Sequence, residues 1–282
     1  MLDIQIFDVD QGFCAALSTK DHHTILIDFG HNTRSGFNPA QYLLQQNCTS
    51  LDCLIVPAYG KEHLAGLSDF LRQTLVEGLA IHFLAANPSL EADQFHQLDV
   101  ANQRFTNAIA TDQNSQGKQI SQSVKIHGID CSFFWNNYPD FQDAHNLSLV
   151  TFVSYRDINI IFPSDLEVDG WRALLKHDEF RDRLRHVNMF VAANHGREAS
   201  YCPEVFDYCS PELIVISNEL HQRVSPQMLN QYQNHAKGCP DGVCDQKLLT
   251  THEHGTITIS KFLDRLRFVK TQLKTQPKAH QY

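Results

Sequence analysis

Three short segments of this chain place acidic or histidine side chains after apolar runs. Glu62 and His63 follow one such run and a short loop, Asp165 follows a second run, and His195 follows a third. Carboxylates and imidazoles in such positions bind divalent metal ions or transfer protons. Each also has a structural explanation, because acids favour helix N-termini, aspartates cap helices and histidines end strands. The sequence leaves both explanations open.

The elements that must position these residues alternate between pairs of strands and helices. A buried strand at 51–56 and an amphipathic helix at 64–75 flank the first segment, and strands at 158–162 and 187–192 precede the other two. A charged helix is expected over 168–185. No repeat and no long linker divides the chain. This arrangement predicts an α/β protein with two sheets covered by helices.

Composition limits the classes of function. The chain has 282 residues, of which 42% are hydrophobic, and this is enough for a large core. Its formal net charge of -9 disfavours general binding of nucleic acid, although a local basic patch at 261–270 stays open. No apolar run is long enough to span a bilayer, and residues 1–5 show no export signal. These features predict a cytoplasmic protein with no membrane segment.

The cysteines point to the same compartment. The chain has eight cysteines without regular spacing, which is typical of reduced thiols in a cytosol. Cys14, Cys53 and Cys131 lie in apolar surroundings in the sequence. We therefore expect these three thiols to pack in the core.

Several short motifs follow one another from residue 1 to about residue 260. They read Asp8-Val9-Asp10-Gln11-Gly12, Leu26-Ile27-Asp28-Phe29-Gly30, Glu62-His63-Leu64-Ala65-Gly66-Leu67, His145-Asn146-Leu147-Ser148-Leu149-Val150, Phe162-Pro163-Ser164-Asp165, Asn194-His195-Gly196 and Gly255-Thr256-Ile257. In this order they resemble the metallo-β-lactamase fold. The most similar branch is the hydrolase domain of competence protein ComEC and its free-standing bacterial relatives.

The resemblance implies a four-layer αββα sandwich with metal ions at one edge. In that family, a His-x-His pair holds one ion. A second ion is held by the Asp and His that follow, together with a later histidine, and a further aspartate bridges the two ions. For this chain the resemblance implies one domain over residues 1–262 and a basic C-terminal extension over 263–282.

The chain departs from the family pattern at the first metal site. Ala58 and Gly60 stand at the two His-x-His positions, and neither side chain can bind a metal. Asn146 stands at the third position of that site, as it commonly does in the ComEC branch. We therefore expect the first site to be lost.

The resemblance keeps the second site in a modified form. Its positions are Glu62, in place of Asp, with His63, Asp165 and His195. Two imidazoles and two carboxylates suit one Zn²⁺ or Mn²⁺ ion. If the protein is an enzyme, Asp165 and His195 are its expected catalytic residues.

Other residues of the motifs could support the site or close it. Lys61 or Arg197 could neutralise the converging carboxylates, and in that case no ion would bind. Asp8 and Asp10 could orient the site from outside or only cap a turn. Asn146 and Arg197 could also stabilise charge that develops during a reaction.

Two functions follow from these residues. The first is a degenerate, non-catalytic member of the fold that acts as a regulatory or scaffold component with another protein, because two-metal hydrolysis needs both ions. The alternative is a one-metal hydrolase acting on phosphodiesters through Glu62, His63, Asp165 and His195. The acidic net charge argues against a role in binding nucleic acid without cutting it.

Overall fold

The computed structural model describes residues 1–9, 12–90, 122–218, 224–239, 246–261 and 267–271. Its strands are β1 (Leu2–Ile6), β2 (Ala15–Thr19), β3 (Thr24–Ile27), β4 (Ser50–Leu51), β5 (Cys53–Ile55), β6 (Ala80–Ile81), β7 (Leu84–Ala85), β8 (Ser123–Ile126), β9 (Ile129–Phe134), β10 (Val150–Tyr155), β11 (Ile158–Phe162), β12 (Met189–Val191), β13 (Leu213–Ile216), β14 (Leu248–Thr250), β15 (Ile257–Lys261) and β16 (Arg267–Thr271). Its α-helices are α1 (Pro39–Gln45), α2 (Leu67–Glu77), α3 (Val168–Leu174), α4 (Asp178–His186), α5 (Pro226–His235) and α6 (Thr251–His254). Within these ranges, no helix has both the length and the apolar character needed to cross a bilayer.

Two seven-stranded sheets form the centre of the molecule. The first has the order β16-β15-β1-β2-β3-β5-β7, and the second has the order β14-β13-β12-β11-β10-β9-β8. Strands β3, β5 and β7 are parallel neighbours in the first sheet, and β11 to β14 are parallel neighbours in the second. The other neighbours within both sheets are antiparallel.

Apolar side chains divide into three clusters that define four layers. One cluster lies between the sheets and takes Ile4 from the first sheet and Ile160 from the second. A second joins the outer face of the first sheet to α1 and α2, and a third joins the second sheet to α3, α4 and α5. The strand β1 shows the underlying pattern, since its buried and half-buried residues alternate. The predicted αββα sandwich is confirmed.

The helix boundaries differ from the sequence prediction in two places. Helix α2 begins at Leu67 rather than residue 64, because the amides of His63 and Leu64 bond to the carbonyl of Gly60 in a turn. The helix expected over 168–185 divides into α3 and α4. This division lets apolar residues of both pieces pack on the second sheet.

Other sequence predictions concern segments at the limits of the described chain. The sequence also predicts a polar helix over 90–110 and a loop over 111–123, and nearly all of both segments lies outside the described residues. Strand β16 falls within the predicted extension 263–282 and pairs antiparallel with β15. The first sheet therefore continues beyond the predicted domain boundary at residue 262.

The buried cysteines should resist chemical modification in the folded protein. Cys14, Cys53 and Cys131 are free and fully buried, as predicted. Burial raises the pKa of the Cys131 thiol to about 12, so almost no reactive thiolate forms at neutral pH. We expect a thiol reagent to label these residues only after unfolding, which peptide mapping of native and urea-treated protein would measure. Rapid labelling of Cys131 in native protein would contradict the packing.

Candidate metal centre

The parallel strands of both sheets end at one edge of the sandwich, and polar residues follow them there. In the first sheet, Asp28 follows β3 and His63 lies in the turn between β5 and α2. In the second sheet, Asp165, His195 and Ser217 follow β11, β12 and β13. The loops after parallel strands are a common place for ligand sites in α/β sheets.

His63 lies at the centre of a buried chain of hydrogen bonds. Its Nδ1 donates to Oδ2 of Asp28, and its Nε2 donates to Oδ2 of Asp165 over 2.7 Å. Oδ1 of Asp28 accepts from the amide of Phe29 over 2.9 Å. Ionised carboxylates only accept hydrogen bonds, so a proton on each ring nitrogen, and therefore an imidazolium, satisfies both contacts of His63.

Electrostatic attraction sets the protonation states of His63 and Asp165. Burial lowers the pKa of His63, but the carboxylates of Asp165 and Asp28 outweigh burial and hold that pKa well above its usual value. Burial alone would raise the pKa of Asp165, but the charge and hydrogen bond of His63 keep it well below the ordinary range. The cation that neutralises Asp165 is therefore His63.

His195 approaches Asp165 from the second sheet. Its Nδ1 donates to the carbonyl of Ser217 over 2.9 Å, and its Nε2 lies 3.8 Å from Oδ1 of Asp165. Burial lowers the pKa of His195, which favours the neutral ring. With the proton on Nδ1, the lone pair of Nε2 faces Asp165 and is available to a ligand.

The backbone around these residues is held in an unusual conformation. Asp28, Ser164, Asn194 and His195 have φ angles of 69°, 55°, 44° and 59°. Such left-handed conformations are uncommon for residues other than glycine and cost about 1–3 kcal/mol each. Four of them at one edge show that the surrounding structure fixes these side chains at an energetic cost, which is common at functional sites.

A cavity of about 20 Å³ lies among these residues. Its walls include His63, Asp165, His195, Ser164 and Ser217. The hydroxyls of Ser164 and Ser217 are buried and have no hydrogen-bond partner within the described part of the chain. A cavity of this size accommodates one water-sized ligand. Most of its wall is apolar, and the remaining wall residues are Phe13, Ile27, Pro57, Phe162, Val191 and Ala192.

The donor atoms match the requirements of one metal ion. One atom from each of His63, Asp165 and His195 lies within 4.8 Å of the others. Ligands at 2.0–2.2 Å from a tetrahedral ion are separated by about 3.4 Å, and the closest donor distances here, 2.7 and 3.8 Å, bracket that value. Both imidazoles are also oriented through Nδ1 by an oxygen, as metal-ligating histidines almost always are. The three residues therefore fit a single divalent ion that takes the place of the Nε2 proton of His63, so binding would release that proton.

Comparisons with known proteins agree with this architecture. No family model matches the chain, and no curated protein matches it by sequence. The crystal structure of the metallo-β-lactamase fold protein YhfI from Bacillus subtilis is similar, with a TM-score of 0.53 and 11% identity over 90% of this chain and 98% of that one. CmlA, a diiron β-hydroxylase from Streptomyces venezuelae, is similar with a TM-score of 0.52 and 9% identity. That match covers 92% of this chain and 54% of CmlA.

The chain has the metallo-β-lactamase fold. At these identities the likeness concerns the fold alone, and the ComEC branch stays a prediction. The metallo-β-lactamase fold of this chain carries a cluster of candidate metal ligands, His63, Asp165 and His195, at the edge where its parallel strands end.

Glu62 does not belong to this cluster of the metallo-β-lactamase fold. A Cβ added to Gly60 would lie 2.7 Å from Oε1 of Glu62, so the Glu62 carboxylate lies over the backbone of residue 60. Ala58 is buried, and its methyl group has no donor atom. The structure thus gathers three of the four predicted ligands, and it places the Glu62 carboxylate beside Gly60.

The two predicted cations lie at the protein surface. Lys61 and Arg197 are both exposed. The charge of Arg197 is one of the smaller contributions that lower the pKa of His195, after burial. In the alternative with a closed site, Lys61 or Arg197 would face Asp165, whereas in the structure the ring of His63 contacts that carboxylate.

Asn146 supports the loop that carries Asp165. Its Oδ1 accepts from the amides of Glu167 and Gly170 over 3.3 and 2.9 Å at the start of α3, and its Nδ2 donates to Asp143 over 3.1 Å. The hydroxyl of Ser148 accepts from the amide of Asp165 over 3.3 Å. Asn146 therefore positions the chain next to Asp165 through backbone contacts.

Of the two N-terminal aspartates that could orient the site, the structure describes only Asp8. The amide of Asp8 donates to Thr256 over 3.4 Å, and its carbonyl accepts from Asn32 over 3.1 Å. Asp10 lies outside the described residues. The supporting role predicted for the two aspartates stays a prediction.

Sequence reasoning gave no role to Asp28 or Ser217. Asp28 stands in one of the quoted motifs and directly follows an apolar strand, which is the signal that singled out Asp165 and His195. The same rule, applied to every predicted strand end, would have included Asp28. Ser217 holds His195 through its backbone carbonyl, and every residue type has such a carbonyl, so the sequence could not indicate this role.

Proposed function

We propose that this protein binds one divalent transition-metal ion with His63, Asp165 and His195 and is a metal-dependent hydrolase of phosphodiesters. The main support is the geometry around Asp165. Nε2 of His63 lies 2.7 Å from one oxygen of this carboxylate, and Nε2 of His195 lies 3.8 Å from the other. Both imidazoles are held in place by a hydrogen bond at Nδ1. A bound ion of this type lowers the pKa of water to about 7 and polarises an ester oxygen. We propose one ion, rather than two, because Ala58 and Gly60 have no side-chain donor atom at the two positions where the resemblance implies histidines.

The chain's own residues would divide the remaining tasks. Asp28 orients His63 and raises its basicity, and the Ser217 carbonyl does the same for His195. The partnerless hydroxyls of Ser164 and Ser217 could hold a polar ligand beside Asp165. His195, whose side chain is 14% exposed, marks the side from which a substrate can approach.

The first test combines metal content with turnover. The full chain would be stripped with a chelator, incubated with Zn²⁺ or Mn²⁺ and desalted, and its metal content measured by plasma mass spectrometry. We expect His195→Ala to bind one equivalent less than wild type. We also expect His195→Ala to hydrolyse bis-nitrophenyl phosphate with Mn²⁺ at least about 100-fold more slowly than wild type. Removing a residue that only hydrogen-bonds to a metal ligand can already lower activity up to about 100-fold.

A matched variant controls for general effects of removing a histidine. His186→Ala removes an exposed imidazole on α4, remote from the cluster in sequence. It should keep wild-type metal content and turnover. Hydrolysis that survives His195→Ala would overturn the assignment of the site.

A second candidate function is a non-catalytic scaffold or regulatory component that works with another protein in an assembly. It is favoured by the direct bonds of His63 to Asp28 and Asp165, which satisfy the carboxylates without an ion. It predicts equal metal content in wild type and His195→Ala and no turnover by either. For both candidates we propose a cytoplasmic location, which the free buried thiols support.

A further inference from the structure

A second group of potential ligands lies at the opposite edge of the sandwich. His23 stands directly before β3, whereas Asp28 stands directly after it, so the two residues lie at opposite ends of that strand. Asp52 lies between β4 and β5, and His127 lies in the turn between β8 and β9. Because β8 and β9 belong to the second sheet, the group of His23, Asp52 and His127 connects the two sheets.

The ring nitrogens of the two histidines face the same carboxylate oxygen. Nδ1 of His23 lies 3.1 Å from Oδ1 of Asp52, and Nε2 of His127 lies 3.2 Å from that atom. The two rings stack with centroids 3.1 Å apart and planes inclined by 11°. Three donor atoms from three separate loops thus lie within 4.8 Å of one another.

Backbone contacts fix the carboxylate. Oδ2 of Asp52 accepts from the amide of Thr24 over 2.8 Å, and the Asp52 amide donates to the Thr24 carbonyl over 2.9 Å. Oδ1 is therefore left facing the two imidazoles. The side chains of His23, Asp52 and His127 are 31%, 15% and 50% exposed, so an ion can reach them from solvent.

The turn at residue 127 accepts a histidine but does not require one. His127 and Gly128 have φ angles of 45° and 85° and connect the paired residues Ile126 and Ile129. Two-residue hairpin turns with two positive φ angles favour Asn-Gly or Asp-Gly. A histidine here adds a metal-binding side chain at a position where the backbone prefers asparagine.

We propose that His23, Asp52 and His127 form a second metal site that binds one divalent ion of the Zn²⁺ class and ties the two sheets together. Donor distances of 3.1 and 3.2 Å suit ligands at about 2.0–2.2 Å from a shared ion, once the two stacked rings tilt apart so that both lone pairs point to it. Two imidazoles favour Zn²⁺, Cu²⁺ or Ni²⁺ over Mg²⁺ or Ca²⁺. This site shares no residue with the candidate metal centre and does not depend on the proposed hydrolase function.

The test uses Zn²⁺ alone and the full chain. His127→Asn removes the imidazole and keeps a residue that the left-handed turn accepts. The variant is made in a His195→Ala background, so that the candidate metal centre contributes less to the measured zinc content. We expect His127→Asn to bind one zinc equivalent less than this parent. It should also lose the rise of several degrees in Tm that Zn²⁺ gives the parent, because an ion that binds only the folded chain stabilises it. His186→Ala in the same parent should change neither quantity.

Several outcomes decide the proposal. The proposal would be overturned if His127→Asn bound as much zinc as its parent and showed the same zinc-induced shift in Tm. The three residues would then be a hydrogen-bonded cluster only. If His127→Asn does not fold, as judged by circular dichroism, His23→Gln replaces it in the same measurements with the same expectations. Loss of one zinc equivalent in either variant, with hydrolysis absent from wild type, would support this site and contradict only the proposed hydrolase.

Discussion

Asp28→Ala should lower the free energy of unfolding of the metal-free protein by about 3–5 kcal/mol, as is usual when one member of a buried ion pair is removed. Asp28 and His63 are both completely buried. The substitution leaves the Nδ1–H of His63 and the amide of Phe29 without their carboxylate acceptor. Urea unfolding followed by circular dichroism measures the change.

Two further variants separate charge from general damage. Asp28→Asn keeps the size of the side chain and one acceptor oxygen, so it should lose less stability than alanine. Its neutral amide still orients His63 poorly, and we expect zinc affinity to fall about 10–100-fold. Asp140→Ala removes an exposed carboxylate and should change stability by about 0.5 kcal/mol or less. An unchanged urea midpoint in Asp28→Ala would show that the buried chain does not stabilise the fold.

Sequence reasoning predicted the ends of the strands better than it predicted the contacts between residues of the two sheets. The positions after the apolar strands identified His63, Asp165 and His195, because a polar residue at the end of a buried strand is conspicuous. Their convergence depends on two sheets stacking with their parallel strands ending at one edge. That arrangement came from the resemblance, since periodicity within single elements does not specify how sheets pack.

The conformations of single side chains could not be predicted in this way. Glu62 has the right chemistry and neighbours His63 in sequence, but its carboxylate lies over Gly60, which has no side chain to occupy that space. The pair of His23 and His127 was invisible for a related reason. These residues lie in two hairpin turns of different sheets, and only the packing of the sheets brings their rings together.

Gly12→Ala should be strongly destabilising and should disturb the metal centre at the same time. A Cβ at residue 12 would lie 2.3 Å from the carbonyl oxygen of Glu62 and 3.0 Å from the amide nitrogen of His63. Gly12 also has a φ of +77°, which costs an alanine about 1–2 kcal/mol. Adding about 1–3 kcal/mol for overpacking gives an expected loss of about 2–5 kcal/mol in the free energy of unfolding.

A second glycine distinguishes the steric effect from the effect of backbone conformation. Gly36 has a φ of +76°, and a Cβ there would have no neighbour within 4 Å. Gly36→Ala should therefore cost only the conformational part, about 1–2 kcal/mol, and leave zinc binding unchanged. Gly12→Ala should weaken zinc binding as well, because relief of the clash must move the backbone that carries His63. If both variants lose equal stability and keep wild-type zinc affinity, the turn at Gly12 does not position His63.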